Sequence, residues 1–284
     1  WNSTEKALYL YNSGTTGASL GSELWRTTDD DALDGLAKTD NITVQGSAGN
    51  DYMNLNVNRT DDYSGNWTLN MGAGDDTLDA ASQKNGDSVD MGAGDDSVNL
   101  IINSHTPTVA NLSLAKLDGG AGNDRLRAQG YSGDTLVGSG GSDLLSGGDG
   151  TDHVSATCDV DITLGNSQLT IGPESHQLAD IERARLTGGA GADTIDAAGF
   201  SGNTTLTGGD GADTLSGSGG TTTLLETLDT DLTLTDSQLV GPDTDSLTGI
   251  DKAKLVGDSS SNLFDTSGFT GPVTLRGSGG DDTM

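Results

Sequence analysis

Two stretches of this sequence read Met-Gly-Ala-Gly-Asp-Asp, from Met71 to Asp76 and again from Met91 to Asp96, and each runs on into a short alternating segment, Thr77-Leu78-Asp79 or Ser97-Val98-Asn99. The residue types suggest one kind of chemistry. Gly72 and Gly74, like Gly92 and Gly94, permit a tight turn with positive φ and leave their carbonyls unshielded by side chains. Asp76 and Asp96 add a carboxylate to those carbonyls. The result is an oxygen-only donor set, which suits a hard divalent cation such as calcium. The polar–apolar–polar segment that follows is a short strand with one side chain turned inward.

The same x-G-x-G-x-D-x-U-x unit, with U a large apolar residue, recurs at Gly46, Gly119, Gly138, Gly147, Gly188 and Gly208, and once more at Gly277, where the sequence stops inside it. Two further copies are eroded at the acidic position: Thr222 stands there in the unit from Gly217, and Asn262 in the unit from Gly257. Any β-turn favours Gly, Asn and Asp. A generic turn, however, needs neither an aspartate at one fixed place nor an apolar residue two positions later. Repetition in register therefore identifies a repeat protein.

The repeat resembles the hemolysin-type calcium-binding repeat, the RTX nonapeptide GGxGxDxUx, over roughly Asn41 to Met284. That resemblance implies an all-β fold, a right-handed parallel β-roll or solenoid with several calcium ions held between stacked Gly-rich turns. It also implies which residues would be ligands. The aspartates would be Asp51, Asp76, Asp96, Asp124, Asp143, Asp152, Asp193, Asp213 and Asp282. The turn carbonyls would come from Gly72, Gly74, Gly92, Gly94, Gly120, Gly122, Gly189, Gly191, Gly209 and Gly211. Thr222 and Asn262 depart from the pattern and are not counted among the ligands.

Composition supports a thin repeat rather than a thick core. The 284 residues include 44 glycines and only 4% aromatics, which suits a solenoid taking one inward residue per short strand. The formal charge is −30. Only five of the 43 acids are glutamates; a merely solvating surface would use both acids, whereas turn ligands favour the shorter aspartate. Nine divalent ions would bring the net charge to roughly −12, so folding and ion binding should be coupled. Such a surface excludes nucleic acid as a partner. The single cysteine, Cys158, excludes an internal disulfide framework. No apolar run is long enough for a membrane-spanning helix, and these residues are not expected to include a signal peptide. The sequence starts at Trp1 and ends inside a turn unit, which suggests a segment of a longer parent protein.

The elements that must position these turns form a hierarchy. Residues 1–40 lack the repeat and are expected to cap the open end of the roll; residues 41–284 are the array. Coils of 20 residues recur (Met71 to Met91, Gly188 to Gly208, Gly257 to Gly277), each long enough for two short strands and two turns. Over them lies a unit of about 69 residues, marked by Ala115-Lys116-Leu117, Ala184-Arg185-Leu186 and Ala253-Lys254-Leu255. The segments Asp161–Leu169 and Asp231–Leu239 are similar to each other, as are the triplets beginning at Tyr63, Tyr131, Phe200 and Phe269. Regular aromatic spacing in a solenoid indicates core rings rather than sugar-stacking platforms. Tandem units of this kind are similar to those of large bacterial surface and secreted proteins.

Signals for catalysis are weak. Gly17-Ala18-Ser19-Leu20-Gly21 matches a nucleophile-elbow pattern but lacks the flanking strand and helix. His105, His153 and His176 form no metal-binding spacing. The six N-x-S/T sequons decide little in a sequence so rich in Ser and Thr. The sequence thus predicts a non-enzymatic, extracellular, calcium-binding structural or adhesive module, such as a surface layer, filament or adhesin stalk. Its partners would be calcium, copies of itself or the rest of a longer chain, and surface glycans. The alternatives are the non-catalytic tail of a secreted enzyme or toxin and, third, a carbohydrate-active β-solenoid.

Overall fold

The computed structural model describes residues 8–9, 42–46, 48–56, 67–81, 88–101, 116–120, 123–129, 135–138, 140–148, 151–227 and 230–284. Apart from the short strand Leu8–Tyr9, the expected cap of residues 1–40 lies outside this set. So do the elbow pattern at Gly17–Gly21, the triplets at Tyr63 and Tyr131, and the glycine Gly122.

Every regular element among the described residues is a strand. They fall into two compact units, residues 1–154 with 176–181, and residues 155–175 with 182–284. In the first, one sheet runs Leu8–Tyr9, Ile42–Gln45, Trp67–Asn70, Ser88–Asp90, Lys116–Asp118, Thr135–Val137 and His153–Thr157. The other runs Tyr52–Asn56, Thr77–Ala81, Ser97–Ile101, Arg125–Gln129, Leu144–Ser146 and Glu174–Ala179. The chain alternates between the two sheets, and neighbours pair parallel with equivalent repeat residues in register, as Leu78 with Val98 and Val98 with Leu126. This is a parallel β-roll.

The burial pattern follows from the repeat. A strand buries alternate residues, so a unit with one apolar position fills one interior site per strand. Leu78, Val98, Leu126 and Leu145 line one sheet and Leu69, Val89, Leu117 and Leu136 the other, all buried. Met71 and Met91, at the first position of their turns, are buried as well and fill irregular space at the roll's corner.

The second unit repeats the plan, with the strands Arg183–Thr187, Asn203–Thr207, Thr222–Thr227, Lys252–Val256 and Val273–Arg276 in one parallel sheet. Its other sheet contains a feature the sequence reading lacked. Asp161–Leu169 and Asp231–Leu239 carry antiparallel hairpins, Ile162–Gly165 with Gln168–Ile171 and Leu232–Thr235 with Gln238–Val240, inserted among the parallel strands. Their two-residue turns (Asn166-Ser167 and Asp236-Ser237) fold back locally because a hairpin needs no crossover. Phe200 and Phe269 are core residues. Each ring lies over the glycine of its own triplet: a Cβ on Gly202 would meet Phe200 at 2.7 Å, and one on Gly271 would meet Phe269 at 2.7 Å.

Candidate metal centre: a ladder of buried aspartates

In the first unit the turns leading from the first sheet to the second stack directly on one another. Gly92 and Gly94 show why the repeat requires glycine. Both have positive φ (97° and 142°), and a Cβ on either would strike the carbonyl of Gly72 or Gly74 in the coil below. The same conformation holds at Gly72 and Gly74, at Gly209 and Gly211, and at Ser278 and Gly280.

This stacking aligns the sixth-position aspartates into a ladder. The N–H of Asp51 donates to Asp76 Oδ1 at 2.7 Å, that of Asp76 to Asp96 Oδ1 at 2.7 Å, that of Asp96 to Asp124 Oδ1 at 2.8 Å, and that of Asp124 to Asp143 Oδ1 at 2.9 Å. In the second unit Asp193 donates to Asp213 Oδ1 at 2.8 Å, and Asn262 to Asp282 Oδ1 at 3.0 Å. Each carboxylate spends one oxygen on its neighbour's backbone. The other oxygen of Asp76, Asp96 and Asp213 is buried without a hydrogen-bond partner, a costly state for an anion. Burial, the leading cause, pushes Asp76 up to about 6 and Asp96 up to about 7. The N–H bonds from Asp51 and Asp76 oppose the shift, and adjacent ladder carboxylates add to it. Burial likewise holds Asp213 above the ordinary carboxylate range.

These residues fit calcium. Unpartnered buried carboxylate oxygens in glycine-rich turns are hard oxygen donors in need of positive charge. Among the described residues no three His, Cys, Asp or Glu side chains converge on one point, so most donors to any ion held here would be turn carbonyls.

The ladder does not treat all sequence copies alike. Asp152 follows the turn from the second sheet back to the first, on the opposite edge from Asp51, Asp76, Asp96, Asp124 and Asp143. The turn Gly188–Asp193, intact in sequence, is closed in another way. Neither Gly189 nor Gly191 has positive φ. Gly189 N–H donates to Asp193 Oδ2 at 2.8 Å, and Ala190 and Gly191 both donate to Asp159 Oδ1, at 3.0 and 2.8 Å. Its amides are thus already satisfied by protein carboxylates. The two eroded copies also part ways. Asn262 holds a ladder position and keeps a buried, unpartnered Oδ1, as the aspartates do. Thr222 sits in a closed hydroxyl cluster, accepting from Ser218 N–H at 2.9 Å and touching Thr204 Oγ1 at 3.0 Å.

Several site residues escaped the sequence reading. A second, exposed ladder runs at position five, with Asp75 N–H donating to Asn50 Oδ1, Asp95 to Asp75 Oδ1, Asn123 to Asp95 Oδ1 and Ser142 to Asn123 Oδ1. The signal was the run of Asn, Asp and Ser at that place. Beyond Asp143 the next rung is a histidine: His176 Nδ1 lies 2.8 Å from Asp143 Oδ2. Beyond Asp213 it is Asp245, whose Oδ1 accepts the Asp213 N–H at 3.0 Å. His176 and Asp245 are 69 residues apart, so the long period carried this information. Asp161 and Asp231, which open the hairpins, accept from Thr194 N–H and Leu263 N–H, both at 2.8 Å.

A parallel β-roll whose glycine turns stack aspartate on aspartate is the architecture of a cation-binding repeat protein. The family model of the RTX calcium-binding nonapeptide repeat matches the chain in four copies, at residues 116–130, 129–157, 185–201 and 198–221. The chain therefore carries RTX calcium-binding repeats. Among curated proteins no relative matches it.

Proposed function

We propose that this chain is an extracellular structural or adhesive repeat module that folds and assembles when its turns take up calcium, and that it is not an enzyme. One observation carries the reading: buried ladder carboxylates, Asp76, Asp96 and Asp213, each with an oxygen that no protein donor satisfies. The proposed ligands are the sixth-position aspartates together with the turn-glycine carbonyls. Asp152 and Asp193 are set apart from the main ladder by edge and by turn closure. An extracellular setting supplies calcium in the millimolar range that modules of low affinity require. RTX repeats are typical of secreted bacterial proteins and are as a rule non-catalytic. No helix among the described residues is long and apolar enough to cross a membrane.

Circular dichroism and light scattering, followed together through a calcium titration, test the proposal. The chain in excess chelator should lose part of its β-signal and melt at a lower temperature, regain both as calcium reaches millimolar levels, and then scatter more light as it associates. A cooperative β-spectrum indifferent to chelator would sink the folding claim. Strictly monomeric folded protein across a hundredfold range of concentration would remove the assembly claim alone.

A further inference from the structure

The rung above Gly208–Asp213 is not a repeat unit. The strand Thr222–Thr227 lies on Asn203–Thr207 with Leu224 opposite Leu206, which brings Glu226 above Gly208. The strand Thr244–Thr248 lies on Thr214–Ser216 with Ser246 opposite Thr214, which brings Asp245 above Asp213. Hydrogen bonds agree with both placements. Gly208 N–H donates to Glu226 Oε1 at 2.6 Å, and Asp213 N–H donates to Asp245 Oδ1 at 3.0 Å. The first and last positions of a turn are thus supplied from either side of the inserted hairpin Leu232–Val240.

We infer that Glu226 and Asp245 rebuild a ladder rung across that hairpin, and that Glu226 is a calcium ligand absent from the repeat pattern. Met71 and Met91 show that the first position can hold a side chain, but at Gly208 one would run into the sixth-position carboxylate: a Cβ there would strike Asp213 Oδ2. Gly208 therefore has Asp213 Oδ2 on one side and Glu226 Oε1 on its amide. Glu226 is 3% exposed and Asp213 1%, and Asp213 Oδ2 has no hydrogen-bond partner. Two buried carboxylates converge on one turn with no protein cation among their contacts. A small cavity lined by Gly209, Gly211, Asp243 and Asp245 among others lies along the same turn. A buried acid pair of this kind calls for a divalent ion, and added ligand charge makes this the tightest site of the second unit. The equivalent of Asp245 in the first unit is His176, which brings no such charge.

The inference rests on the calcium reading, and the experiment separates the two. Calcium bound by the full chain is counted by equilibrium dialysis and titrated calorimetrically for wild type, Glu226→Gln, Asp245→Asn and the control Asp265→Asn, an exposed acid of the strand Phe264–Gly268. The amides keep the acceptors for Gly208 and Asp213 and remove only charge. Glu226→Gln should lose one ion, or weaken one site on the order of tenfold, and leave the remaining sites as they were; Asp245→Asn should weaken the same site, and the control should match wild type. Ion counts and affinities unchanged in Glu226→Gln would overturn the inference and leave the calcium reading standing. If Glu226→Gln does not fold in calcium, Asp245→Asn decides on the same criterion. Wild type that binds no calcium overturns both.

Discussion

The turns Gly208–Asp213 and Gly217–Thr222 begin nine residues apart and share glycine at their first and fourth positions, yet they solve the turn problem in opposite ways. In the first, Gly209 and Gly211 take positive φ, and the aspartate is left with a buried oxygen no donor reaches. In the second, Thr222 supplies a hydroxyl. It accepts from Ser218 N–H, while Ser218 Oγ donates to Gly202 O at 2.8 Å and Thr222 N–H donates to Asp251 Oδ2 at 2.8 Å. A hydroxyl both donates and accepts, so the cluster closes on itself without charge. A carboxylate only accepts, and it remains incomplete until a cation arrives. The sixth-position side chain, with the edge on which each turn lies, thus marks the contrast between a turn that waits for an ion and one that does not.

The largest expected effect concerns pH and calcium together. Asp76, Asp96 and Asp245 have folded-state values raised to about 6, about 7 and about 6, and Glu226 is pushed up to about 8, chiefly by burial and against the Gly208 N–H bond. A raised acid binds more protons folded than unfolded. The ion-free fold is therefore most stable near pH 4 and loses stability as pH rises through about 6 to 8. Calcium replaces the protons, so the loss should vanish in saturating calcium. Thermal melts at pH 5 and pH 8, with calcium and with chelator, check this; equal pH slopes in both conditions would contradict it.

Next in size is a crossover at a single rung. Asp96→Asn keeps an oxygen for the Asp76 N–H but removes a buried charge. It should raise the melting temperature in chelator and lower it in calcium, with calcium affinity at that rung reduced about tenfold. A shift of the same sign in both conditions would show that Asp96 is only a structural acceptor.

Thr222→Val should behave differently. It leaves Ser218 N–H without its acceptor and should cost about 1–3 kcal/mol, equally with and without calcium. A calcium-dependent cost would blur the distinction between the two turns.

Two smaller effects sharpen it. Asn262→Asp should gain calcium affinity, because Asn262 already holds a ladder position with a free buried oxygen; calorimetry against wild type tests this. Asp159→Ala frees the amides of Ala190 and Gly191 and should cost about 1 kcal/mol in chelator, less in calcium, as read from denaturant midpoints.

Much of this molecule was legible in its sequence. A strict period places Leu78, Val98 and Leu126 on one interior face, and glycine at positions such as Gly92 and Gly94 announces positive φ. The parallel roll, the edge carrying Asp76 and Asp96 in one unit and that carrying Asp213 in the other follow from those local rules, because a strand's alternation and a glycine's freedom belong to the residues themselves. The tertiary structure decided which turns are equivalent. Gly188–Asp193 reads as a perfect repeat, but Asp159, 31 residues before Ala190, takes up its amides; no spacing within the motif contains that contact. Glu226 and Asp245 are 19 residues apart in the chain and share a rung only because parallel stacking sets each strand in register with the coil below. Whether an aspartate is a satisfied acceptor or an unpartnered anion depends on the donors that neighbouring coils bring to it. Sequence determined where the carboxylates would stand, and stacking determined which of them would be left needing an ion.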